Sequence, residues 1–132
     1  MHGNYTVTIE KFAERHFIKS FQKKYKQHWE ITLRAIVAEL ERLDNFLQTD
    51  KAETIISTQN IKIIKTRFKI AGSNESAKTS GNRCIVSVDT SLLKVSVLLV
   101  YSKTDIALGN ETNWWKSMIK EEYVELKDII TL

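Results

Sequence analysis

The chain has 132 residues, 42% hydrophobic and 27% charged, proportions that suit one globular domain over 1–132 and exclude a disordered or fibrous protein. A single cysteine, Cys84, excludes an internal disulfide framework and most thiolate metal sites, and four glycines without a proline argue against a large loop-built site. The net charge of +4 is uneven: residues 11–35 and 61–103 are basic, residues 36–60 and 104–132 acidic, and a polyanion is the natural partner of the basic blocks.

Tyr5 to Ile9 alternates and is β-branched, which predicts a short strand. From Phe12 to Gln48 there is neither glycine nor proline. Phe17, Phe21 and Tyr25 mark a first helix, and Trp29, Leu33, Ile36, Leu40, Leu43 and Leu47 recur at helical spacing along a second. The least apolar stretch, Lys23 to His28, predicts a bend between them. Three strands are expected next, at Ile61 to Ile70, Arg83 to Asp89 and Lys94 to Lys103. The polar segment Ala71 to Asn82 reads as a loop, and Thr90 to Leu93 is short enough for a hairpin connection. A last helix fits Glu111 to Leu126, with Asn110 as its cap. The order β-α-α-β-β-β-α, with consecutive strands and no helical crossovers, predicts an α+β fold: an antiparallel sheet with helices packed on it. The longest apolar run, Val97 to Tyr101, is far too short to span a bilayer. No charged-then-apolar leader opens the chain, so a cytoplasmic protein with no membrane partner is expected.

Alternation along 61–70 puts Ile64, Thr66, Phe68 and Ile70 on one face and Lys65, Arg67 and Lys69 on the other. A basic row on one strand also serves as protection of a sheet edge. Arg83 in the next strand, Lys78 in the loop, and Tyr101 with Lys103 in the third strand bring more polar groups towards the same surface, which suits a phosphate chain. His2, His16 and His28 share no face and have no acid at ligand spacing, so no metal is expected. No nucleotide-binding glycine loop or nucleophile elbow is present. Asp89 and Asp105 read as turn residues. Cys84 falls on the apolar side with Val86 and Val88 and reads as core. Trp115 reads as core as well, and Trp114 is left between core and base stacking. The acidic segment Glu121 to Asp128 would moderate the basic face if it folded beside it.

Three stretches in succession, Ile64-Lys-Thr-Arg-Phe-Lys69, Ala77-Lys-Thr-Ser-Gly-Asn-Arg83 and Val97-Leu-Leu-Val-Tyr-Ser-Lys103, resemble the RelE/ParE toxin superfamily, most nearly its HigB-like branch. Asn82 replaces the second glycine of that pattern, and the aromatic before the arginine is absent. The resemblance covers roughly 60 to 126. It implies the toxin of a type II toxin–antitoxin pair: a ribosome-dependent, metal-independent mRNA endoribonuclease that needs no cofactor. Its partners would be mRNA on the ribosome and a cognate antitoxin protein. In that reaction the 2′-hydroxyl attacks the adjacent phosphate, leaving a cyclic phosphate and a free 5′-hydroxyl. Arg67 and Arg83 are then the expected phosphate clamps, Lys65 or Lys69 the base, and Tyr101 an acid or stacking group. Lys78 and Lys103 are expected RNA contacts. A ParE-like gyrase-directed toxin and a non-catalytic RNA- or protein-binding module on the same fold are the alternatives.

Overall fold

The computed structural model describes residues 4–106 and 110–130. Strand β1 (Thr6–Ile9) leads into a helical segment made of α1 (Lys11–Ala13), a π-helical turn (Glu14–Ile18) and α2 (Lys19–Tyr25). Helix α3 (Gln27–Glu41) and a short α4 (Leu43–Phe46) follow. The break between α2 and α3 falls inside the expected bend, at Lys26, whose φ is 53°. Trp29, Ile36, Leu40 and Leu43 of the expected stripe are buried.

Four strands come next: β2 (Ala52–Ser57), β3 (Ile61–Phe68), β4 (Asn82–Asp89) and β5 (Lys94–Ser102). Helix α5 (Glu111–Glu122) then runs into a 3-10 turn (Val124–Ile129), so the last helix ends sooner than the sequence suggested. Asn110 caps α5 as expected, its side-chain oxygen accepting from the Thr112 and Asn113 amides at 2.9 and 3.2 Å.

The strands form one sheet in the order β1-β5-β4-β3-β2. All neighbours are antiparallel except β1, which runs parallel to β5. The α+β sheet with packed helices is therefore as expected, with one strand more. β2 escaped the sequence reading because only Thr54, Ile55 and Ile56 carry a strand signal there, and a bulge between Thr54 and Ile56 breaks their alternation. The connection between β4 and β5 is the expected hairpin. Asp89 holds it as a turn residue, its carboxylate accepting from the Ser91 and Leu92 amides, both at 3.0 Å.

The sheet is covered on both faces. Ile64, Phe68, Cys84, Val86, Val88, Val95, Val97 and Val100 meet the helices before β2. Ile63, Ile85, Leu98, Leu99 and Tyr101 meet Trp115, Ile119, Tyr123 and Leu126 from the C-terminal layer. A register shift between Ile85 and Val86 makes this arrangement possible. Val95 and Val97 face the N-terminal helices, so strict alternation would send Leu99 and Tyr101 there too. The bulge at Leu98 reverses the parity and turns both residues towards α5.

Candidate active site

At the end of the sheet nearest the start of α5, the register sets Arg67 opposite Arg83 and Arg83 opposite Tyr101. Directly paired residues share a face, so these three side chains form a row across β3, β4 and β5. Lys65 stands two positions back along β3, on the same face. The sequence reading thus brought together four residues that the fold does juxtapose.

The row contains two adjacent cations, which repel one another unless something compensates. Arg67, its side chain 18% exposed, is held by the Asp50 carbonyl at 3.3 Å and the Glu53 carboxylate at 3.4 Å, both from the β2 side. Arg83 is only 4% exposed. It donates to the Asn82 carbonyl at 3.0 Å and the Lys78 carbonyl at 3.3 Å, while its Nε finds no partner among the described residues. Burial lowers its pKa first; Arg67 adds to that, and Glu111 and Tyr101 partly offset it.

The compensating charge is Glu111, in the first turn of α5. Its carboxylate lies 3.2 Å from Lys65 Nζ and accepts from the Tyr101 hydroxyl at 2.6 Å. Both charged side chains of this pair are mostly shielded, at 16% and 22% exposure. Burial pushes the Glu111 carboxyl up, but hydrogen bonds from Tyr101 and Lys65 and the charges of Lys65 and Arg83 prevail and hold it below the ordinary carboxylate range. Burial and the Glu111 carboxylate push the Tyr101 phenol up. Trp114 closes the other side of Tyr101, at 4.9 Å between ring centroids, and meets Phe17 edge-on at 6.2 Å. Trp114 is therefore packed against this site, half-buried.

Glu111 is the residue that sequence reasoning missed. A first-turn acid beside an Asn cap looks like ordinary helix-dipole chemistry, and only the docking of α5 on the sheet brings it to Lys65. The acidic segment at 121–128 does not take that role. Glu122 and Glu125, together with Glu10, lie around Tyr123, whose hydroxyl donates to the Leu98 carbonyl at 2.7 Å.

The remaining candidates lie apart from this row. Lys69 is one residue past the end of β3 and exposed. With Arg67 it borders a groove of about 430 Å³ between α3 and the 71–81 loop, lined also by Ile31, Ala35, Ser76 and Ala77. Lys78 is exposed, and its carbonyl rather than its ammonium meets Arg83. Lys103 has left β5 for a 3-10 turn (Lys103–Asp105), and its amide donates to the Gly81 carbonyl at 2.9 Å. Gly81 has φ +78°, and a Cβ there would sit 3.4 Å from Lys103 Cγ, so this junction takes glycine for its backbone conformation. Cys84 is fully buried, its thiol pushed up to about 12 by burial, which suits core rather than nucleophile. Among the described residues no group of three or more His, Cys, Asp and Glu is placed to hold a metal. No helix of the described residues is long and apolar enough to cross a membrane.

No family model matches the chain, and no curated protein matches its sequence. Among solved structures, it is similar to a chain of the archaeal RelE–RelB complex from Pyrococcus horikoshii OT3. The TM-score is 0.56 at 16% identity, over 78% of this chain and 99% of that one. At that identity the likeness is one of fold: a RelE-type sheet with helices on both faces.

Proposed function

We propose that this chain is the toxin of a type II toxin–antitoxin pair and acts as a ribosome-dependent, metal-independent mRNA endoribonuclease. The observation that carries this reading is the convergence of Lys65, Arg67, Arg83 and Tyr101 on one end of one sheet face. Cleavage by the neighbouring 2′-hydroxyl requires extra negative charge on the phosphorane to be stabilised. Arg67, held by contacts of 3.3 and 3.4 Å to the Asp50 carbonyl and the Glu53 carboxylate, would exchange them to set its fork on two phosphate oxygens. Arg83 contributes its charge from just beneath the surface and braces the loop that carries Lys78. Lys69, Lys78 and Lys103 are exposed around this end and serve as contacts along the RNA backbone. The fold shared with a chain of a RelE–RelB complex supports a protein antitoxin as partner. Such a partner would meet the basic face with acidic residues.

The test is a 5′-end map of a defined message in a cell-free translation mix. Cuts inside codons that need ribosomes are expected from the wild-type chain and should fall at least about tenfold with Arg67→Gln, the loss of one bidentate contact being of order 1.5–3 kcal/mol. An intact message with normal protein yield would sink the reading.

A second reading has its own observation. Arg83 is nearly enclosed, and carbonyls take two of its nitrogens. A face so closed suits a protein-binding module, or a gyrase-directed toxin of the ParE kind, better than a phosphate seat. Ribosome-bound chain without cleavage would favour the module, and a DNA-damage response with intact messages the gyrase toxin.

A further inference from the structure

The cleavage reaction needs a group to take the 2′ proton, and the basic residues of the strands supply only lysines for it. A lysine base would have to lose its proton beside a carboxylate that stabilises its charged form. Lys65 is in that position, 3.2 Å from Glu111. The geometry points instead to Glu111 as the general base, with Lys65 as the general acid. This assignment rests on the ribonuclease reading and names the pair that moves its protons.

Three observations support it. Glu111 contacts Lys65 from β3 and Tyr101 from β5 and feels the charge of Arg83 from β4, so it is an anion set among these groups. Glu53, another carboxylate near this face and paired with Lys65 across β2 and β3, lies on the edge strand, 57% exposed, with its contact to Arg67. Tyr101 keeps its proton, its phenol being pushed up, and so orients the carboxylate by donating to it at 2.6 Å. A carboxylate held below its ordinary range is a weaker base than one near neutrality, but it is wholly in the accepting form at neutral pH.

RNA entering the site parts the Lys65–Glu111 pair and places its phosphate between them. The 2′-oxygen bonds to phosphorus as its proton passes to a Glu111 carboxylate oxygen. The bond from phosphorus to the 5′-oxygen breaks, and that oxygen takes a proton from Lys65 Nζ. The products are the 2′,3′-cyclic phosphate and a free 5′-hydroxyl. Once they leave, the proton on Glu111 returns to Lys65 through their direct contact, and the ion pair is restored. No outside oxidant, metal or net proton is consumed.

Single-turnover cleavage on programmed ribosomes tests the assignment, with binding followed separately on a message carrying 2′-deoxynucleotides at the mapped cut positions. Glu111→Gln keeps the size of the side chain and removes its basicity. It should cut about 10²–10⁴-fold more slowly while binding the deoxy message no more weakly than wild type. Glu111→Asp should recover part of the rate. The wild-type rate should not rise from about pH 6 to about 8.5, since the Glu111 carboxylate is held below its ordinary range and is already ionised there. Unchanged or faster cutting by Glu111→Gln would overturn the assignment, faster cutting marking Glu111 as an inhibitory anion. So would a wild-type rate that climbs about tenfold per pH unit over that range, the signature of a lysine base. In either case wild-type cleavage itself stands, whereas a wild-type chain that cuts no message removes the ribonuclease reading along with this assignment.

Discussion

Arg83 shows how far chemistry and architecture can share one side chain. Its guanidinium faces Arg67 and Tyr101 across the strands, yet two of its nitrogens fasten the Asn82 and Lys78 carbonyls. Arg83→Ala therefore removes the hydrogen bonds to the buried Asn82 carbonyl and the part-buried Lys78 carbonyl and is expected to cost about 1–3 kcal/mol, read as a lowered urea midpoint at unchanged slope. Loss of cleavage in that variant would be ambiguous, which is why Arg67→Gln is the better probe of the phosphate contact. Lys65 and Arg67 stood out in the sequence because, with Lys69, they alternate onto one face of a strand, and Arg83 because it lies in the next strand. The burial of Arg83 was not legible, since alternation gives the direction of a side chain but not what covers it. Glu111 was hidden for a related reason: forty-six positions separate it from Lys65 in the chain.

The elements repeat this contrast. The bend between the first two helices could be placed from composition, but its form is specific to the fold. Lys26 adopts φ 53° and ψ −122°, a region that suits glycine. Lys26→Gly should stabilise the chain by about 1 kcal/mol, because relief of backbone strain of order 1–3 kcal/mol exceeds the added entropy of the unfolded glycine. A higher urea midpoint would bear this out, and an unchanged or lower one would mean that the turn is relaxed. β3, β4 and β5 were legible because each carries apolar residues at strand spacing. β2 was not, because it is a bulged edge strand with one buried residue, Ala52, at its start. Its contribution to the site is indirect: Glu53 and the Asp50 carbonyl beside it hold Arg67 in place.

In the molecule as a whole, the sheet separates two apolar layers, and the second of them carries Glu111 to the strands. Trp115, 1% exposed, anchors that layer beside Ile119 on the Ile63, Ile85 and Leu99 side. Trp115→Ala should cost about 3–5 kcal/mol, measured by chemical unfolding. Because the loosened helix is the one that positions Glu111, cleavage should fall more than Arg67→Gln alone reduces it. Composition, charge blocks and apolar periodicity were enough to identify an α+β sheet protein, its three central strands and its basic face, because these are local properties of spacing and burial. The partner of that face, the enclosure of Arg83 and the turning of Tyr101 towards α5 came from packing. Each depends on a bulge, a helix docking or a cross-strand register, and those are settled by contacts between residues far apart in the chain.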